Sequence, residues 1–353
     1  MKFIATFILV AFCCIAQADG QLRFNLTSTG DASADAGFQQ AADFWSSQFD
    51  DDIEVNLTLG FSNLGGGILG QAGSTAQLYQ YSDFASAIVN DSLSAADASF
   101  SSTLPSGNDF SVYINGTSES IAAFVDDDGG ANNTQVRLNN ANAKALGLIS
   151  ATQAGQDAQI TFNSAFNFDF DPSDGIGTGQ QDFVGVAIHE IGHALGFTSG
   201  VDSVDQFGNG NFNDDAFTVV TPLDFARHSP DSIANGADID LTADTRPKFY
   251  SIDGGLTAGG GLVGGLDHFS LGVTNGDGRQ ASHWRDNSLG DRVQLGILDP
   301  TAQGAGNLNI VTELDLQAID IIGFNRIAAV PEPSSLLVIG GVFGTMLMRR
   351  RRA

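Results

Sequence analysis

Residues 182–197 constrain this chain more than any other segment. Val184, Ile188, Ile191 and Leu195 recur at helical spacing as one apolar stripe, and Gly185, His189, Gly192, His193 and Gly196 fall on the opposite side. Thr178, with Gln181 three residues later, gives a capping-box pattern at the helix start. An interior glycine costs a helix about 1 kcal/mol relative to alanine, so a stripe carrying Gly185 and Gly192 must gain from the missing side chains. Beside two histidines, the expected gain is room for a metal ion and for close backbone approach.

His189 and His193, at i and i+4, can place two imidazole nitrogens on one zinc ion. Glu190 points about 100° around the helix, towards a water at the metal rather than towards the metal itself. A carboxylate there suits a general base that takes a proton from water as it attacks a carbonyl. Only five of the 41 acidic residues are glutamate, and one occupies this position. A plain amphipathic helix with hydrogen-bonded histidines would leave the glycines unexplained. A hydrolytic zinc site needs three protein ligands and one open position. The remaining donors are His228, His268 and His283, with Asp202 and Asp205 as carboxylate options just past Gly196. Spacing alone does not choose among them.

Over roughly residues 180–325 the chain resembles the leishmanolysin-like branch of the metzincin zinc proteases. The carrying residues are the HExxH segment with Gly196, the triplet Ser282-His283-Trp284, the tight segment Leu295–Pro300 and the helical pattern from Thr312 to Gly323. In that branch a long insertion separates the glycine from a third histidine in a Ser-His-Trp setting, and a Met-turn and a final helix follow. The resemblance implies His283 as third ligand ahead of His268 and Asp202, Glu190 as general base and Gly196 as the turn out of the helix. It also implies an α+β architecture. An upper lobe of about residues 19–198 would hold a twisted mixed sheet and two helices, and an irregular lower lobe of about 199–330 would carry His283. The expected activity is endopeptidase cleavage of protein or peptide substrates. Two positions depart from the pattern: Ser199 stands where the compact metzincin motif has its last histidine, and Leu298 replaces the Met-turn methionine. Leucine fills a similar apolar volume, so weaker packing rather than lost chemistry is expected.

Both ends read as processing signals. Met1-Lys2, the apolar run Phe3–Ile15 and Ala16-Gln17-Ala18 form a secretory signal peptide with cleavage after Ala18. Residues 331–353, with Pro331-Glu332-Pro333, a short apolar segment and Arg349–Arg352, resemble the PEP-CTERM sorting tag. That resemblance implies removal by an exosortase, transient membrane contact through the tag, and release to the surface or surroundings of a Gram-negative bacterium. Residues 19–330 keep 10 basic against 40 acidic residues, a formal net charge of −30, which argues against nucleic acid or anionic membrane as a partner. Cys13 and Cys14 leave with the signal, so disulfides, thiolate ligands and a cysteine latency switch are excluded.

The N-terminal third gives a helix through Phe38, Ala41, Ala42, Trp45 and Phe49, then a strand through Ile53, Val55, Leu57, Leu59 and Phe61. A longer alternation, Ile160 to Phe170, reads as one Phe-rich strand whose edge could pair with an extended substrate. The acidic stretches Asp169–Asp174 and Asp205–Asp215 have oxygen donors for Ca²⁺ but match no EF-hand loop, and a solvated loop is the simpler expectation. Asn25 and Asn56 sit in chance glycosylation sequons. The rival reading is a non-catalytic surface or matrix protein with a structural or vestigial metal site. An intact Glu190 speaks against it, because a structural zinc site has no use for that carboxylate.

Overall fold

In the computed structural model, residues 21–290 and 293–327 are described; the signal segment 1–18 and the tag 331–353 lie outside the described residues. Strands β1 (Arg23–Leu26), β2 (Glu54–Ser62), β3 (Gly70–Ser74) and β4 (Ala158–Asn163) form a sheet in the order β1-β2-β4-β3. β1, β2 and β4 run parallel, and β3 lies antiparallel on β4, with Gly70 opposite Phe162 and Ser74 opposite Ala158. Val55, Leu57 and Leu59 alternate inward along β2, as the sequence pattern requires. Helix α1 (Ala32–Ser46) connects β1 to β2. It begins at Asp31, whose carboxylate accepts the Ser33 and Ala34 N–H groups, and it buries Phe38, Ala41, Ala42 and Trp45.

Helix α2 (Phe183–Leu195) packs beside α1 over this sheet. A Cβ on Gly37 would lie 2.4 Å from a Phe183 ring carbon, so glycine there lets the ring seat against α1. Phe183 sits within 6.2 Å, centroid to centroid, of Phe38, Phe61, Phe162, Phe168 and Phe170. Six phenylalanines thus form one aromatic core under α2, and Phe84, Phe110 and Phe225 form another with Tyr81.

Two sequence expectations change. The Ile160–Phe170 alternation is not one strand, because it breaks at buried Asn163. The Asn163 amide donates to the Gly65 and Ile68 carbonyls, and its oxygen accepts from Leu64 and Ala165 N–H. Four satisfied bonds stabilise a turn better than continued alternation would, and the chain pairs again only at Phe168–Asp169, with Gln181–Asp182. The cap of α2 is Asp182, not Thr178. Its carboxylate accepts Gly185 N–H at 2.8 Å and is anchored from afar by Asn309 N–H at 2.9 Å.

Several small sheets and the short helix α3 (Glu313–Asp320) complete a mixed α/β fold. Among the described residues no helix is long and apolar enough to cross a membrane. Lys144 and Asp157 form a buried ion pair at 2.5 Å, and Lys144 Nζ also donates to the Glu54 carbonyl, tying the sheet to the following segment.

A corner where Asp51, Asp91 and Asn325 meet gives the fold a pH dependence. Asn325 bonds both carboxylates. Burial, with the Asp91 charge adding to it, pushes Asp51 up to about 7, and burial pushes Asp91 up to about 6. A carboxyl whose folded pKa lies above its unfolded value of 3.8 contributes stability that is fully present below 3.8 and lost as pH rises through the folded value. The chain should therefore melt higher at pH 5.5 than at pH 8, Asp51 contributing on the order of 2 kcal/mol. Thermal melts across that range test this. Asp51→Asn should flatten the profile by raising the melting point at pH 8, and an unchanged slope would refute the assignment.

Candidate metal centre

The glycine stripe of α2 is filled by protein. A Cβ on Gly185 would lie 2.2 Å from Asp182 Oδ2, so that glycine makes room for the helix's own cap. A Cβ on Gly192 would meet Leu298 Cδ1 at 3.1 Å and Trp45 Cζ2 at 3.5 Å. Its absence lets Leu298 pack beneath the helix and lets Trp45 Nε1 donate to the Ile188 carbonyl at 3.0 Å. Gly196 ends the helix with φ 120°, and the Asn142 amide occupies the space a side chain would take. The glycines beside the histidines therefore let the Asp182, Leu298, Trp45 and Asn142 side chains pack close against the backbone of the helix.

His189 and His193 project from α2, and His283 comes from the segment after residue 280. The Nε2 atoms of His189 and His193 lie 3.0 Å apart, and those of His193 and His283 lie 3.1 Å apart. Each Nδ1 faces a backbone carbonyl: His189 to Ile297 at 2.7 Å, His193 to Phe197 at 2.7 Å and His283 to Gln280 at 3.2 Å. Carbonyls accept only, so each ring carries its proton on Nδ1 and presents a bare Nε2. Burial lowers His189 to about 3 and His193 to about 4, and burial together with His193 and His189 holds His283 well below the usual range. Three neutral imidazoles thus aim lone pairs at one point with no proton between them, a donor set that fits zinc.

Glu190 is 6% exposed and contacts none of the three ligand nitrogens by hydrogen bond. Burial raises it to about 8. Its Oε1 lies 3.1 Å from where a Gly70 Cβ would be, so a glycine in β3 leaves room for this carboxylate. Glu190, the three histidines and β3 line one cleft of about 1280 Å³.

The other sequence candidates take no part in the cluster of three histidine nitrogens. Asp202 does not face the three nitrogens: its carboxylate accepts Ala281 N–H at 2.6 Å and the N–H and hydroxyl of Ser282, which fixes the segment carrying His283. His268 accepts Tyr250 N–H and donates to the Gly264 carbonyl. His228 is buried away from the cleft, and Asp205 holds the Thr274 and Asn275 N–H groups. Ser199, at the position of the absent histidine, donates to Asp224 at 2.6 Å while its N–H bonds Ser282 Oγ.

Sequence reasoning missed two buried aspartates. Asp224 accepts from Ser199 Oγ, Gly200 N–H and Thr221 N–H, securing the chain as it leaves α2. Asp315, in the first turn of α3, accepts Trp284 Nε1, the Ile297, Leu298 and Thr312 N–H groups and Thr312 Oγ1. It joins the His283 segment to the turn whose Ile297 carbonyl orients His189. A Cβ on Gly296 would lie 2.2 Å from Asp315 Oδ2, so this arrangement requires glycine at 296. The Thr312-x-x-Asp315 spacing was a legible capping signal for it.

Comparison with protein-family models, with curated proteins and with solved structures finds no match to this chain.

Proposed function

We propose that this chain is a secreted zinc endopeptidase of metzincin type, with an upper lobe of sheet and active-site helix and a lower lobe carrying His283. The observation that carries the reading is the convergence of three unprotonated Nε2 atoms beside a buried glutamate, in a cleft walled by a free strand edge. His189, His193 and His283 would hold the ion. When bound, zinc supplies Lewis-acid chemistry, polarising a peptide carbonyl and acidifying water. Glu190 takes the proton of the attacking water on its carboxylate and delivers it to the departing amine nitrogen. A divalent cation near Glu190 opposes the effect of burial and favours its ionised form.

The substrate edge differs from the one expected. β4 is hydrogen-bonded on both sides, to β2 and to β3, and has no edge to offer. The outer edge belongs to β3, where Gly70, Gln71, Ala72, Gly73 and Ser74 all line the cleft. These mostly small residues leave the backbone accessible to an extended peptide.

Metal analysis of the purified chain, paired with cleavage of casein and a peptide library, tests the reading. One zinc per chain is expected, with cleavage abolished by chelation and restored by zinc. His283→Ala should lose the ion, whereas Asp202→Ala should keep it with affinity weakened about 10–100-fold. Zinc held by the three histidines without cleavage of any peptide would favour the non-catalytic surface protein.

A further inference from the structure

A second acidic group lies outside the cleft. The carboxylates of Glu119, Asp128 and Asp215 offer oxygens within 4.8 Å of one another at the surface. Next to them in sequence, Asp214 is 1% exposed and close to the Asp126 and Glu119 carboxylates, and neither of its oxygens accepts a hydrogen bond from an N–H or hydroxyl donor of another residue among the described residues. Asn132 is 0% exposed; its Nδ2 donates to Asp126 Oδ2 at 2.6 Å, and its Oδ1 likewise lacks a partner. The strongest charged neighbours of Glu119, Asp214 and Asp215 are all carboxylates. Burial and the neighbouring Asp126 and Glu119 carboxylates push the Asp214 carboxyl upward, so its ionised form is costly in this place unless a cation offsets it. A cation supplies what the protein withholds.

The backbone is arranged to bring these groups together. Ala131 and Asn132 N–H donate to the Asp215 and Asp214 carbonyls, and Ser118 N–H donates to the Phe212 carbonyl. A Cβ on Gly130 would lie 2.8 Å from Asp215 Cα and 3.1 Å from Asp128 Oδ1, so only glycine lets the two loops close.

We infer that Asp126, Asp128, Asp214 and Asp215, with Glu119, form a calcium site that clamps the segment of residues 208–215 to the segment of residues 116–132. An all-oxygen, carboxylate-rich set of this size suits a large hard cation, and the absence of nitrogen or sulfur donors disfavours zinc. The site uses only the last two residues of the Asp205–Asp215 stretch. The Asp169–Asp174 stretch satisfies itself, with Asp169 and Asp171 accepting nearby N–H groups.

The test is a calcium titration of the full, zinc-supplied chain after removal of free divalent ions, read by bound calcium per chain and by melting temperature. One calcium per chain is expected, with a rise of at least about 3 °C at calcium a hundredfold above its Kd and a much smaller rise with magnesium. Asp214→Asn should abolish both responses. Because it removes an unpaired buried charge, it should melt no lower than the wild type without calcium, so a folding failure is not confused with a lost site. Asp171→Asn should leave the response intact. No bound calcium in the wild type, equal shifts with magnesium, or a full calcium response in Asp214→Asn would each overturn the assignment.

Discussion

Glu190→Gln should lower peptide hydrolysis by about 10³-fold, within the range a positioned general base contributes, while zinc content stays at one per chain. Glutamine keeps the shape and the position against Gly70 but cannot take a proton from water. The loss should fall in kcat with KM nearly unchanged, since Glu190 has no part in seating an extended peptide along β3. Steady-state assays with zinc analysis on the same preparations decide the matter. A variant that keeps wild-type turnover would remove Glu190 from the chemistry and with it the strongest reason to read the site as catalytic.

Asp315→Ala should be the most damaging single change to stability. It strands the Trp284 indole N–H and the Ile297, Leu298 and Thr312 amides in a buried place. Each lost partner of this kind costs about 1–3 kcal/mol, so a destabilisation above about 4 kcal/mol is expected by denaturant titration. Asp315→Asn retains one acceptor oxygen but sets an NH₂ against donors, and should fall in between. Zinc affinity should drop with both, because Ile297 orients His189 and the Trp284 segment carries His283. Wild-type stability in Asp315→Ala would mean that these amides find other acceptors.

The helix that carries His189, Glu190 and His193 was legible because its signal is local: the spacing of two histidines and a glutamate survives any tertiary context. His283 was not, since ninety residues separate it from His193, and spacing ranked it no higher than His268 or Asp202. Only the Ser-His-Trp resemblance singled it out, and the structure places its Nε2 3.1 Å from that of His193. The cap of α2 was misplaced because a long-range partner, Asn309, favours Asp182 over Thr178. The sheet edge was misread for two reasons. Edges are a property of topology, and β3, rich in glycine and small residues, lacks the β-branched and aromatic content by which strands are recognised. The many aspartates read as solvating charge, yet Asp182, Asp202, Asp224 and Asp315 are internal acceptors for backbone N–H groups. Their short side chains suit that task better than glutamate.

Those internal aspartates have a consequence for handling the protein. Segments distant in sequence, such as residues 202 and 281 or 297 and 315, are fastened by carboxylate-to-amide contacts, a task that covalent sulfur bridges perform in many other folds. Such fastenings need no oxidising compartment, no isomerase and no order of pairing. Residues 19–330, which carry no cysteine, should fold equally well in a reducing cytosol, and a reductant that does not chelate metals should leave their melting curve untouched.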